Sequence, residues 1–196
     1  MSGTVTLLSI ASVSSPQSQP EAKSAAAEAS RYRIGALLLF RDATGRLLLM
    51  QRRRQPNAGL WCAVGGKLEM VTGESPYECA IREALEEVGM KLEASDLSLR
   101  CMLAEKNYKG TGHWLMFVFE VLPPIDSAPD CIEEGCFRLF ERTEIVDAPM
   151  PELDRQLLCE RILDEPRRGL QILRVDAGEE ANPSQVVLEE WIGASV

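Results

Sequence analysis

The sequence predicts an α/β fold in which a mixed β-sheet lies between helices, an α/β/α sandwich. Three observations predict it. Short runs dense in apolar residues recur along residues 32–140 with strand-like length and turn chemistry between them. Residues 75–89 carry both the start and the stop signals of a helix, and residues 153–163 repeat apolar positions at helical spacing. The chain has 196 residues, of which 45% are hydrophobic, enough for one domain with a full core. Its longest apolar run, Trp114 to Phe119, is far shorter than a membrane span, so no membrane partner is expected.

Residues 1–30 are rich in Ser, Ala, Gln and Pro, and no basic segment precedes their weak apolar run from Val5 to Val13. They are expected to form a flexible tail without a secretory signal. The domain proper is expected over 31–175, followed by a C-terminal extension over 176–196 packed on it. Tyr32 to Phe40 reads as a strand buried on both faces, and Asp42 to Gly45 as a turn. Leu47 to Met50 then completes a hairpin. Leu60 to Val64 is a short strand leading into Gly65-Gly66. Leu97 to Ala104 and Trp114 to Val121 are two more strands, the second central, with a loop from Glu105 to His113. Cys136 to Phe140 and Leu170 to Val175 are further strands. Val186 to Ile192 fits a strand or a short helix.

The helix at 75–89 is the best-marked element. Ser75 is an N-cap, Pro76 fits the first helical position, and Glu78 completes a capping box. Gly89 is a natural left-handed stop. Ile81, Ala84, Leu85 and Val88 form an apolar stripe, and Glu83, Glu86 and Glu87 share the opposite face. Three carboxylates on one face repel one another unless a positive charge joins them. Oxygen ligands of this kind suit a hard divalent cation. A Gly-Gly loop just before the helix allows a close backbone approach, so this stretch predicts a metal site facing an anionic substrate.

Charge and cysteine usage narrow the classes. A formal net charge of -9 argues against a polymeric nucleic acid partner, although a bound metal can reverse the local field. Cys62, Cys79, Cys101, Cys131, Cys136 and Cys159 show no C-x-x-C spacing, and all six are expected as reduced thiols in a cytoplasmic protein. His113 is the only histidine, so a multi-histidine metal site cannot form within one chain. Arg52 and Arg54, in the basic run after the second strand, are candidates for binding a substrate phosphate, as is Lys67.

Residues 74–90 resemble the signature of the Nudix (MutT-like) hydrolase family, GX5EX7REUXEEXGU, where U is a bulky apolar residue. Glu74, Arg82, Glu83, Glu86, Glu87 and Gly89 match in register. Two positions depart. Seven residues rather than five separate Gly66 from Glu74, which reads as a two-residue insertion within Lys67 to Gly73, and Ala84 is small for its position. The resemblance covers residues 31 to about 165 and implies the Nudix-type sandwich.

It also implies Mg²⁺-dependent hydrolysis of a phosphoanhydride in a nucleoside diphosphate linked to X, with Mn²⁺ as a substitute ion. Glu83, Glu86 and Glu87 would hold metal, with Gly66 and Glu134 as further candidate ligands. Glu133 and Glu105 are alternatives for the later carboxylate, Glu105 the weaker one. Glu83 or Glu86 would take the proton of the attacking water. Arg82, counted with the catalytic set, would pair with Glu74 to fix the helix to the loop, and Gly89 would end the helix. The favoured substrate is a nucleoside triphosphate, including an oxidised one. Dinucleoside polyphosphates, toward which Tyr108 points, and nucleotide sugars are alternatives. Glu105 stands where ADP-ribose hydrolases carry proline, which counts against that subtype. A non-catalytic nucleotide-binding module is the rival class. Homodimers are frequent in the family.

Overall fold

The computed structural model of the chain describes residues 32–108, 112–163, 169–178 and 186–193. The tail expected over 1–30 lies outside these residues. A six-stranded mixed sheet forms the centre. Strand β1 (Tyr32–Leu39) is flanked by β4 (Val64–Lys67), antiparallel, and β6 (His113–Val121), parallel. Next come β5 (Leu97–Lys106), antiparallel to β6, β8 (Leu170–Asp176), parallel to β5, and β9 (Val187–Ile192), antiparallel to β8. The order is β4-β1-β6-β5-β8-β9. A smaller antiparallel sheet holds β3 (Trp61–Cys62), β2 (Leu47–Arg52) and β7 (Gly135–Phe140).

The apolar density of β1 follows from its place. Ala36 and Leu38, continued by Phe40, face one core, whereas Leu37 and Leu39 face the other. A strand covered on both sides needs apolar residues at successive positions. Helix α1 (Pro76–Glu83) runs on into a π-helical turn, Ala84–Val88, and packs Cys79, Ala80 and Ala84 on the side of Ala36 and Leu38. Helices α2 (Arg142–Asp147) and α3 (Glu152–Gln156), the latter continued by a π-helical segment Leu157–Leu163, contribute Ile145, Leu157, Leu158 and Ile162 to the opposite core. The mixed sheet thus lies between helices.

Several local expectations need correction. The chain does reverse after β1: the Asp42 side chain accepts from the N–H groups of Thr44 and Arg46, at 3.0 and 2.9 Å. The two strands then part into different sheets, because β4 and β6 already occupy both edges of β1. The strand expected over Leu60 to Val64 is broken at Ala63 and serves both sheets, and the Gly65-Gly66 pair expected as a loop lies inside β4, paired with Leu37 and Ala36 of β1. Strand β5 outruns its expected end by two residues, taking Glu105 and Lys106 out of the loop, and His113 opens β6. Helix α2 was not anticipated; its short span is fixed by a Glu141–Glu144 capping box rather than by periodicity. Of the two forms open to Val186–Ile192, the chain takes the strand.

The cysteines are corrected too. Cys131 and Cys136 form a disulfide, whereas Cys62, Cys79 and Cys101 are free and buried. A tight return, in which the Ile132 N–H donates to the Gly135 carbonyl at 2.9 Å, brings the two Cα atoms within 4.2 Å. Spacing alone did not reveal that turn. Among the described residues no helix is long and apolar enough to cross a membrane.

Candidate active site

Two glycines on β4 and the acidic face of α1 meet at the edge of the large sheet. Ser75 caps α1: its hydroxyl accepts from the Glu78 N–H at 3.2 Å, and the Glu78 carboxylate accepts from the Ser75 N–H at 2.8 Å. The cap fixes where the helix starts, and therefore which side chains turn toward β4. Gly66 lies so close to Glu83 that a Cβ there would stand 1.9 Å from its Oε1. Gly65, at φ +141°, donates its N–H to the Glu87 carboxylate at 3.1 Å. A Cβ on Gly65 would meet the Ala36 carbonyl oxygen at 2.1 Å, so both positions require glycine.

Arg82 stands among the carboxylates. Its Nε and Nη2 grip Glu74 bidentately at 2.8 and 3.0 Å. Its Nη1 donates to Glu83 at 2.7 Å and to Glu86 at 3.0 Å, and its Nη2 also reaches the Lys67 carbonyl at 3.0 Å. Glu74 is held below the usual carboxylate range, chiefly by its bonds from Arg82. One guanidinium thus serves three carboxylates and ties α1 to the loop before it.

The expectation that all three metal-candidate glutamates share one exposed face is corrected. Glu83 and Glu87 are buried, whereas the Glu86 side chain is 58% exposed. Leu85, expected in the apolar stripe, is 47% exposed. The wider turn at Ala84–Val88 rotates later residues relative to an α-helix, and Gly89, at φ 74°, ends it. Burial raises Glu83 above the usual carboxylate range despite Arg82. Burial also pushes Glu87 up to about 7, helped by the charges of Glu83 and Glu134 and opposed by the Gly65 N–H and Arg52.

The inserted residues do not displace Gly66. The Glu74 N–H donates to the Glu69 carbonyl at 3.3 Å, and the Glu69 N–H to the Glu74 carboxylate at 2.7 Å, closing the loop at its base. The extra length bulges outward, with Val71 100% exposed.

The other expected residues are scattered around this centre. Arg52 acts electrostatically on Glu87, and its Nε donates to the Pro56 carbonyl at 2.9 Å. Arg54 pairs instead with exposed Glu133. Lys67 sits over the Trp114 ring, with Nζ 5.7 Å from its centroid. Glu134 is the later-loop carboxylate whose charge reaches Glu87; Glu105 is instead coupled to Asp154. Arg53, of the same basic run, has a structural role that sequence reasoning missed: its guanidinium donates to the Ile132 carbonyl at 2.6 Å and to Cys136 Sγ at 3.2 Å, docking the disulfide loop beside the site. Sequence reasoning also missed a polar group formed by Asn57, Cys62 and Asp154, for which scattered positions gave no spacing signal.

Among the described residues no three Asp, Glu, His or Cys side chains converge around one ion position. The donor set still fits a hard cation. Its donors are carboxylate oxygens, three of the four carboxylates (Glu74, Glu83, Glu86) share a single guanidinium while Glu87 accepts from the Gly65 N–H, and the cradle at Gly66 leaves no space for a side chain.

A family model described as the NUDIX domain matches residues 31–160. Among solved structures, a mutator MutT protein from Bacillus halodurans is similar at 21% identity and TM-score 0.59, covering 81% of this chain and 95% of its own. A MutT NUDIX hydrolase from Burkholderia pseudomallei is 26% identical at TM-score 0.54, covering 68% of this chain and 99% of that one. The NUDIX domain of Shewanella oneidensis NrtR, solved with ADP ribose, is 18% identical at TM-score 0.55, covering 74% and 90%.

Proposed function

From the premise that this chain belongs to the Nudix family and is a hydrolase of pyrophosphate bonds, we propose that it cleaves a nucleoside triphosphate with Mg²⁺, for which Mn²⁺ can substitute. One observation carries the reading: Glu83 and Glu87 lie against the glycine pair of β4 while Arg82 holds Glu74, Glu83 and Glu86 in fixed relation. Glu83, Glu86, Glu87 and the Gly66 carbonyl are the groups that would hold the ion, and Glu134 is a further carboxylate within electrostatic reach. When bound, the ion neutralises phosphate oxygens and lowers the pKa of water.

The chain's own residues supply the rest. Arg82 positions carboxylates rather than substrate, because its donors are already committed. Of the two candidates for taking the proton of the attacking water, Glu86 is open to solvent and Glu83 is buried. That difference favours Glu86, since a base must reach the water it serves. Arg52, whose charge reaches Glu87, and Lys67, at the end of the strand that bears the glycine pair, would supply positive charge for the phosphate chain.

The test is a panel of nucleoside triphosphates, dinucleoside polyphosphates and nucleotide sugars incubated with the full chain, with and without Mg²⁺. The expected result is Mg²⁺-dependent pyrophosphate release, fastest from a triphosphate. No turnover of any nucleoside diphosphate derivative would sink the proposal.

A further inference from the structure

Across the sheet from the glutamates lies an acid that anhydride hydrolysis does not use. Glu105, on β5, is only 7% exposed. Among the described residues it has neither a hydrogen bond nor an ion pair, and the charge that reaches it is the like charge of Asp154. The residue is buried, yet its oxygens are not fully sealed from solvent; a carboxyl that faces so little water without a protein partner is costly, and a leucine or a glutamine would fill the same space at less cost. Such a group calls for a ligand.

The strand register says where that ligand would lie. Arg33, Trp114, Glu105 and Val175 form one cross-strand row over β1, β6, β5 and β8. Lys67, Gly35, Met116 and Leu103 form the neighbouring row, which begins on the strand of Gly65 and Gly66. Directly paired residues project on the same face, and so do residues two apart along a strand. Glu105 therefore shares a face with Trp114, Arg33 and Lys67. The Trp114 ring has the Arg33 guanidinium 5.6 Å and the Lys67 ammonium 5.7 Å from its centroid. Three strand spacings separate β4 from β5, roughly 14 Å. That distance suits an extended nucleotide with its phosphates over β4.

The far side of this space is polar. Tyr108 and Asn57 bond each other, at 2.9 and 3.2 Å. Asp154, from α3, acts on Cys62, Tyr108 and Glu105. Arg52 acts on both Cys62 and Glu87, so one guanidinium connects this group with the metal-candidate glutamates.

We infer that Glu105 is a specificity-determining residue that donates a hydrogen bond to an acceptor atom, a carbonyl oxygen or ring nitrogen, on the base of the bound nucleotide. The inference rests on the hydrolase reading for where the phosphates lie. Burial first, and the Asp154 charge second, push Glu105 up to about 8, so it is a neutral acid at neutral pH and carries the proton it must donate. The carboxylate of Asp154 can accept from a donor on the same base. Cys101 and Tyr108, on which the Glu105 charge acts, and Cys62 beside Asp154 are each pushed up to about 12 and keep their protons near neutrality. Arg33 and Lys67 supply positive charge from β1 and β4.

The test compares binding of AMP, GMP, CMP and UMP with that of ribose 5-phosphate, a probe without a base, by titration calorimetry of the full chain without metal. Measurements at about pH 6.5 and about pH 8.5 bracket the titration of Glu105. For the wild type at the lower pH, the best monophosphate should bind at least about tenfold tighter than ribose 5-phosphate. That preference should fall several-fold at the higher pH. E105Q, whose amide still donates, should keep it at both pH values. E105L should lose it while melting no lower than wild type. An E105L protein that retains the preference, or an E105Q protein with the wild-type pH dependence, overturns the assignment. Turnover failing on every nucleotide would count against the hydrolase reading alone, since the binding ratio does not depend on turnover.

Discussion

Gly66 has no room for a side chain, and that makes it the sharpest residue to change. Gly66→Ala would place a Cβ 1.9 Å from Glu83 Oε1 and push that carboxylate aside. Turnover should fall by about a hundredfold or more while circular dichroism stays native, because the displaced group is the far end of a side chain. Glu87→Gln keeps the shape and the acceptor for the Gly65 N–H but removes a buried charge. Turnover should drop by orders of magnitude with melting temperature unchanged or raised; unchanged turnover would remove Glu87 from the ligand set. Glu87 is pushed up to about 7, so cation binding near pH 6 should release a proton. Calorimetry in buffers of different ionisation enthalpy reads that release directly. Glu105 adds a pH dependence of stability. Its folded value, about 8, lies above that of an unfolded carboxylate, so its contribution is complete at acid pH and is lost as pH rises through about 8. The wild type should therefore lose melting temperature relative to E105Q between about pH 6 and about pH 9.

Helix α1 shows what a local pattern conveys and what it leaves out. Ser75, Pro76, Glu78 and Gly89 mark the ends of the helical segment because caps are satisfied by neighbours in sequence. The direction of Glu87 was not legible, because it depends on a change of pitch after Glu83 and on the N–H of a glycine on another strand. Arg82 links the helix to its surroundings through Glu74 and the Lys67 carbonyl. Arg82→Ala would leave Glu74 and Glu83 without their cation and should cost about 2 to 3 kcal/mol in denaturant unfolding. Arg82→Lys should recover only part, because an ammonium cannot grip Glu74 bidentately. The outward loop at Met70 and Val71 invites the opposite expectation. Deleting those two residues should leave turnover within about threefold, since the Glu69–Glu74 bonds close the loop beneath them. A larger loss would show that the loop tip contacts substrate.

For the whole molecule, seven of the eight described strands through Asp176 could be located from apolar runs and turn residues, β4 having been read as a loop, whereas their division between two sheets could not. Partnering is decided by which edges remain open, as at β1, and no single run carries that information. The same limit hid the polar group at Asn57, Cys62, Glu105 and Asp154, which comes from a loop, two strands and a helix. It also hid the Cys131–Cys136 bridge, and that bridge has a practical consequence. The bridge spans the return that bears Glu134, and Arg53 pins the same return through Ile132 and Cys136. Thiol reagents therefore act on a segment electrostatically linked to Glu87. An activity measured with a dithiol reductant and one measured without it describe two covalent forms of this chain, and the redox history of a preparation belongs among the conditions stated with any rate.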